Sequence, residues 1–217
     1  MTSLEEIWPC FGLRIRSGPL ELSVIRDGDI AALVKLAEEG IHDPDQMPFA
    51  FPWTQQPDGE LGRVMAQHYW RSRAEFTHLQ WSLELVVRRD GEVVGIQAIG
   101  ATHFLVTRTG ESGSWLGRRH QGRGTGTLMR QTLCAFLFDH LDFEQVTSAA
   151  FTDNPASMAV SRKVGFRPNG RTREKRRDGE LAISRRLTLD PADLVRSSYP
   201  ISVEGVAALR GLIGLDG

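Results

Sequence analysis

Cysteine is scarce in this chain of 217 residues: Cys10 and Cys134 are the only two. Two thiols make neither a disulfide framework nor a four-cysteine zinc site, and no CxxC or HExxH pair occurs, so neither a metal nor a redox role is expected. Long apolar runs are missing too. The longest, Leu133 to Phe138, has six residues, against the roughly 18 that cross a bilayer, so no membrane partner is expected. The first ten residues include Glu5 and Glu6 and lack a basic start followed by an apolar stretch. They do not read as a secretory signal, and the expected location is cytoplasmic. Tyrosine is equally scarce, at Tyr69 and Tyr199. An excess of one charge is also absent, with 26 Lys and Arg against 27 Asp and Glu.

What remains is the composition of an ordinary globular protein, 41% hydrophobic, of a length that suits one domain or one domain with an appendage. Its charges are unevenly placed. Residues 118 to 177 hold 12 basic side chains and 5 acidic ones, a surplus of seven that the rest of the chain offsets with a deficit of eight. A small polyphosphate and a nucleic-acid backbone are both partners for such a segment, and a solvated basic face is the plainer alternative.

Leu20, Leu22 and Val24 alternate within Ser17–Asp27, which predicts a strand, then a helix over about Ile30–Glu39, capped near Asp27 or Asp29 and stopped by Gly40. Asp43–Pro57 is dense in proline and aromatics and reads as a structured loop before a second helix, Gly59 to about Leu79. Trp81–Arg89 and Glu92–Thr102 flank Asp90-Gly91, a hairpin signal. A strand over Gly110–Leu116, a Gly/Arg-rich turn, a helix from Gly124 to about Leu141, a strand over Gln145–Phe151, a helix over Pro155–Val164 and a strand pair around Phe166 and Leu181–Leu189 follow. With one strand-turn-helix-strand crossover, the pattern is α+β: a single domain over residues 1–189, built on a central twisted mixed β-sheet flanked by helices. Residues 190–217, with Pro191 and Pro200, are set apart as a C-terminal tail without a predicted docking place.

The segment Trp115 to Gly126 stands between a predicted strand and a predicted helix. Glycines there let backbone N–H groups converge at a helix N-terminus, where free donors and the helix dipole favour an anion such as a pyrophosphate. A P-loop is approached by Gly117 to Gly122, but Arg123-Gly124 stands where Lys-Ser/Thr is needed; a dinucleotide fingerprint fails because Thr127 replaces its third glycine. The pattern that fits is Q/R-x-x-G-x-G/A, at Gln121, Gly124 and Gly126.

Glu111, Gly113, Trp115 and Leu116 precede that loop as E-x-G-x-W-L, and Asn154, Ser157, Ser161, Lys163, Gly165 and Phe166 follow it as N-x-x-S-x-x-x-S-x-K-x-G-F. With these three motifs in order, the chain resembles the GNAT family of N-acetyltransferases, in particular its RimJ/RimL-like branch, which acetylates ribosomal-protein N-termini. The resemblance runs from about Leu83 to Leu189 and is weak over the first 80 residues. It implies an acyl-CoA-dependent N-acyltransferase, with acetyl-CoA as the default donor and succinyl-CoA or another short acyl-CoA left open. Gln121, Gly122, Arg123, Gly124, Thr125 and Gly126 would cradle the pyrophosphate; main-chain groups of Trp115 and Leu116 would pair with the pantetheine; Asn154, Ser157, Ser161 and Lys163 would line the cofactor arm. Ser157 would be the proton donor to the departing thiolate, since neither tyrosine lies on this helix. For Asn154, plain helix capping competes with that role.

The acceptor, a primary amine of a small molecule, peptide or protein, must be neutral to attack, so a base is required. Glu111 is the expected base, with Glu84, His103 and His120 as the other candidates. Asp43 and Asp45 beside Phe49, Phe51 and Trp53 would suit an ammonium group, with aromatic packing the plainer reading. Arg171 to Arg177, expected as an exposed hairpin arm between two strands, supports a rival class: an RNA-binding protein using residues 162–177. It lacks interleaved aromatics, so nucleic acid is disfavoured as a partner. A non-catalytic acyl-CoA-binding protein of the same fold is a third reading, and a homo-oligomer stays open.

Overall fold

Hydrophobic alternation in the strands decides what lies on each face of the central sheet. A computed structural model describes residues 2–216. The strands are β1 (Arg14–Ser17), β2 (Leu20–Val24), β3 (Gln80–Arg89), β4 (Glu92–Thr102), β5 (Thr109–Leu116), β6 (Gln145–Phe151), β7 (Arg167–Arg177), β8 (Glu180–Leu189) and β9 (Ile201–Glu204). They form one sheet in the order β7-β8-β6-β5-β4-β3-β2-β1-β9, in which β5–β6 is parallel and the other neighbours are antiparallel. The expected mixed sheet of an α+β fold is therefore present.

The helices are α1 (Leu4–Ile7), α2 (Asp27–Glu38), α3 (Leu61–Ala74), α4 (Phe104–Thr107), α5 (Thr125–His140), α6 (Pro155–Val164) and α7 (Val206–Leu212). Leu83, Leu85 and Ile99 on one face of the sheet share a core with Met129, Leu133 and Leu137 of α5. Val86 and Ile96, one residue out of phase, share a second core with Leu33 of α2 and Met65 of α3. The sheet is thus sandwiched, with α5 and α6 on one side and α2 and α3 on the other.

Three expectations change. Arg171–Arg177 is not a connection: it forms most of β7, an edge strand paired with β8 from Arg167↔Thr188 to Arg177↔Glu180. Its low apolar content hid it, because only one neighbour and little core are needed at an edge. β1 went unpredicted for a similar reason; Arg14 and Arg16 point outward to Glu21, and only Ile15 marks the buried side. The segment after Asp190, for which no docking place was predicted, packs onto the sheet and core. β9 pairs antiparallel with β1, and Leu209 and Ile213 are 0% exposed within the main core. Met1 and Gly217, the outer ends of the two expected units, lie outside the described residues.

If the C-terminal segment is part of the core, Leu209→Ala should behave as a core truncation. A loss of roughly 3 kcal/mol is expected, a fall in Tm of about 6–12 °C for a chain of this size. Thermal unfolding followed by circular dichroism checks this; a shift within a degree of wild type would return the segment to appendage status.

Candidate active site

The parallel ladder between β5 and β6 is short. It runs from Thr109↔Gln145 to Ser112↔Ser148 and stops. Beyond it, Gly113–Leu116 pair with β4 alone and Ala149–Phe151 with β8 alone, so the sheet parts in its middle. Gly117 N donates to Val94 O at 3.0 Å, and antiparallel alternation then turns the main-chain groups of Trp115 and Gly113 toward β4. Those of Ser114 and Leu116 face the gap. The main-chain groups of Trp115, expected to pair with a pantetheine, are thus turned to β4, and those of Ser114 are the ones on the open side. Gly95 allows β4 to press close here: a Cβ on it would lie 2.1 Å from Trp115 O.

The gap opens at the start of α5. Gly122 and Gly124 adopt φ +71° and +78°, and a Cβ on either would meet no protein atom within 4 Å. Packing therefore does not demand these glycines; the left-handed turn and the open space in front of it do. No side chain caps α5, which leaves its first-turn N–H groups pointing outward with the positive end of the helix dipole. Gln121 does not reach into this space. Its Nε2 donates to Ile41 O at 2.7 Å and Leu116 O at 2.9 Å, tying the loop down. Thr125 is buried, its hydroxyl accepting from Arg89 Nη1 at 2.7 Å. Arg118 pairs with Asp43 at 2.5 Å, and Arg119 with Glu92 at 2.9 Å and with Glu39. Arg123 is exposed, with no carboxylate within 4.0 Å among the described residues, and stays available to an anion.

The opposite wall of the gap ends in α6. Asn154 caps it, Oδ1 accepting from Ser157 N at 3.0 Å, so the capping reading of Asn154 is realised. Ser157 is half-buried in the first turn. Ser161, one turn on, is 1% exposed and accepts from Arg130 Nη1 at 3.1 Å; a buried, committed hydroxyl cannot line a cofactor surface, and that expectation is corrected. Lys163 is exposed near the end of the helix. Arg130 of α5 also donates to Ser114 Oγ at 2.8 Å and so bridges both walls. Sequence reasoning missed it, although an arginine on the apolar stripe of Leu133 and Leu137 is itself a signal.

The other face of the sheet holds the carboxylates. Register places Glu84, Ala98 and Gly113 in one row across β3, β4 and β5, and Ser82, Gly100 and Glu111 in the next. Small residues thus floor a trough between two acids, bordering the gap. Glu84 does not face solvent: its side chain is 16% exposed, accepts from Ser82 Oγ at 3.3 Å and lies 3.5 Å from His68 Nε2 of α3. That carboxylate holds the His68 pKa above its ordinary value. Glu111 is exposed and paired with Arg186 at 3.4 Å. His103 is exposed where β4 ends, about 17 Å along the strand from Ala98. His120 is buried beneath the loop beside Arg119 and Glu92, and burial lowers its pKa. Neither histidine shares the trough.

Phe49 and Trp53 pack in sequence onto Trp115, with ring centroids 5.2 and 5.7 Å apart, so packing claims most of the aromatic loop. Asp43 is spent on Arg118, whereas Asp45 and Phe51 are exposed. Among the described residues no helix is long and apolar enough to cross a membrane, and no group of three or more His, Cys, Asp or Glu is placed to hold a metal.

Comparison with known proteins agrees with this geometry. YdaF of Bacillus subtilis (strain 168), whose name places it provisionally among the ribosomal N-acetyltransferases, is 30% identical over 87 residues. That match covers 39% of this chain and 46% of the relative, so the chain spans about half the length of the curated relative it matches. Mycobacterium smegmatis RimJ, solved in complex with CoA-disulfide, superposes with a TM-score of 0.70 at 23% identity over 88% of this chain and 91% of that one. RimL, a ribosomal L7/L12 alpha-N-protein acetyltransferase, superposes with a TM-score of 0.66 at 17% identity over 81% and 94%. At these identities the structures establish a shared fold. The family model of the acetyltransferase (GNAT) domain matches residues 20–167, two-thirds of the sequence, and the chain belongs to that family.

Proposed function

We propose that this protein transfers an acetyl group from acetyl-CoA to a primary amine. The parting of β5 from β6 carries this reading, because it exposes strand main-chain groups beside an uncapped helix N-terminus. The two together suit a ligand with an amide-bearing arm and a pyrophosphate. Acetyl-CoA, when bound, supplies the activated thioester. The chain's part is to hold it and to manage protons. Main-chain groups of Ser114 and the N–H of Leu116 align the arm; N–H groups from Gly122 to Gly126, with Arg123, hold the phosphates; the amide of Asn154 and the hydroxyl of Ser157 face the arm from α6. Ser157 donates a hydrogen bond to the leaving sulfur.

On the trough side, Glu84 is the better-placed base. Its carboxylate is shielded and backed by His68, whereas Glu111 is exposed and neutralised by Arg186. Glu111 instead attracts the cationic acceptor to the trough. Similarity to YdaF, RimJ and RimL favours a protein N-terminus as acceptor, and a cytoplasmic setting suits such a substrate.

Saturating acetyl-CoA or CoA, at about a hundredfold its Kd, should raise Tm by roughly 5–10 °C; no shift with either would end the acyl-CoA reading. Gly124→Ala, whose Cβ meets no protein atom, should still fold although its φ of +78° strains any side chain, and should weaken CoA at least about tenfold by calorimetry. Unchanged affinity would move the cradle elsewhere. Ser157→Ala should lower kcat with CoA affinity kept. Glu84→Gln should cost on the order of 10²-fold in kcat, whereas Glu111→Gln should mainly raise KM. The reverse pattern would assign the base to Glu111. Because Glu84 favours protonated His68, kcat/KM should fall as pH drops through the raised His68 pKa, and His68→Asn should remove that limb.

A further inference from the structure

Arg130 has no packing reason to occupy the apolar stripe of α5. Its side chain is 4% exposed, its neighbours on that stripe include Leu133 and Leu137, and no carboxylate oxygen lies within 4.0 Å among the described residues. Nη2 donates to Ser114 Oγ on β5 and Nη1 to Ser161 Oγ on α6, while Nε has no acceptor. The groups facing it are all neutral. Cys134, one turn along α5, has its thiol pushed up to about 12 by burial; β5 and α6 present hydroxyls; the Phe166 ring centroid lies 6.0 Å from Cζ. Burial lowers the pKa of Arg130 itself, yet a guanidinium stays protonated at neutral pH. A full positive charge is therefore held between the two walls of the gap with no protein counter-charge, an arrangement strongly disfavoured unless a ligand supplies the missing negative charge.

The proposed reaction develops such a charge at one point. As the amine nitrogen bonds to the acyl carbon, the carbon–sulfur bond breaks, its electron pair leaves on sulfur, and the amine's surplus proton passes to Glu84. Neither tyrosine can assist: Tyr69 of α3 is buried in the core on the other face of the sheet, and the Tyr199 ring packs at Gly18 in the β1–β2 turn. Ser161, which Arg130 holds, is one helical turn from Ser157 on the same face of α6. We infer that Arg130 is a positioning residue for the leaving group, its uncompensated charge acting through Ser114 and Ser161 to favour the thiolate over the thiol of coenzyme A in the gap. This inference rests on the acyl-transfer reading.

The test titrates the thiol of coenzyme A by its ultraviolet thiolate absorbance, free and bound to saturating protein, after calorimetry has established binding. Cys10 and Cys134, both pushed up to about 12, stay silent over the range scanned. The bound thiol of the wild type should titrate about one pH unit below free coenzyme A in the same buffer. Arg130→Met, read with CoA at saturation for that variant, should abolish that difference, and Arg130→Lys, which keeps the charge, should retain it. Should Arg130→Met fail to fold, Arg130→Gln carries the same expectation. A bound thiol that titrates like the free one in the wild type, or a difference that survives neutralisation of Arg130, overturns the inference while leaving the acyl-CoA reading intact. Absence of CoA binding to the wild type overturns both.

Discussion

One interrupted ladder organises this molecule. Parallel β5 and β6 share four paired residues and then diverge, and because they run the same way, the helices that follow them both begin at the diverging end. Each helix presents its N-terminus to the same opening. Their endings differ in a telling way: α6 is closed by Asn154 and Pro155, whereas α5 starts on Gly124 in a left-handed turn with no side-chain cap. The unsatisfied donors are concentrated on one side of the opening, which is what a single polyanion requires.

The gap also connects two faces that are otherwise sealed from one another by packed cores. On the α5–α6 face lies the proposed cradle, within the segment that holds the surplus of basic side chains. Many of these are already committed, Arg118 to Asp43, Arg119 to Glu39 and Glu92, Arg176 to Asp153, so the surplus seen in the sequence overstates the free charge. On the α2–α3 face lie Glu84 and Glu111 over a floor of glycine, alanine and serine. In the proposed reaction an anionic donor and a cationic acceptor would approach from opposite sides and meet where the strands part.

Sequence patterns carried the central part of the fold well because those elements are buried on at least one face. Strand Gln145–Phe151 and helix Pro155–Val164 are found with the bounds that alternation and the Asn-Pro start predict, and the Asp90-Gly91 turn does join two long strands. What was illegible shares one cause. β1, β7 and β9 are edge or near-edge strands whose outward residues are charged and whose apolar content is small, so periodicity has little to register. The glycine turn before α5 was readable since glycine spacing is local. The trough was not: Glu84 and Glu111 are 27 positions apart and become neighbours only through the register of β3, β4 and β5. His68 joins them from a helix whose sequence gives no hint of the contact.

A gap of this kind needs protection from closing and from spreading, and the serines and threonines around it supply both. Where the ladder stops, Ser148 Oγ donates to Ser112 O at 3.2 Å, Ser112 Oγ to Thr147 O at 3.3 Å and Thr147 Oγ1 to Gly110 O at 3.1 Å. These hydroxyls reinforce the last paired residues, so the split does not run further down the sheet. Above them, Arg130 spans from Ser114 to Ser161 and fixes the separation of strand and helix, while Gln121 clamps Leu116 to the loop. Side-chain bonds hold each wall from behind and leave the main-chain groups of Ser114 free toward the opening. A slot already held apart loses little further freedom when an extended ligand pairs with its edge. The same bonds explain why polar residues are tolerated at 1–5% exposure in the middle of a hydrophobic layer: Ser112, Ser148, Ser161 and Arg130 each make a hydrogen bond across or beside the opening.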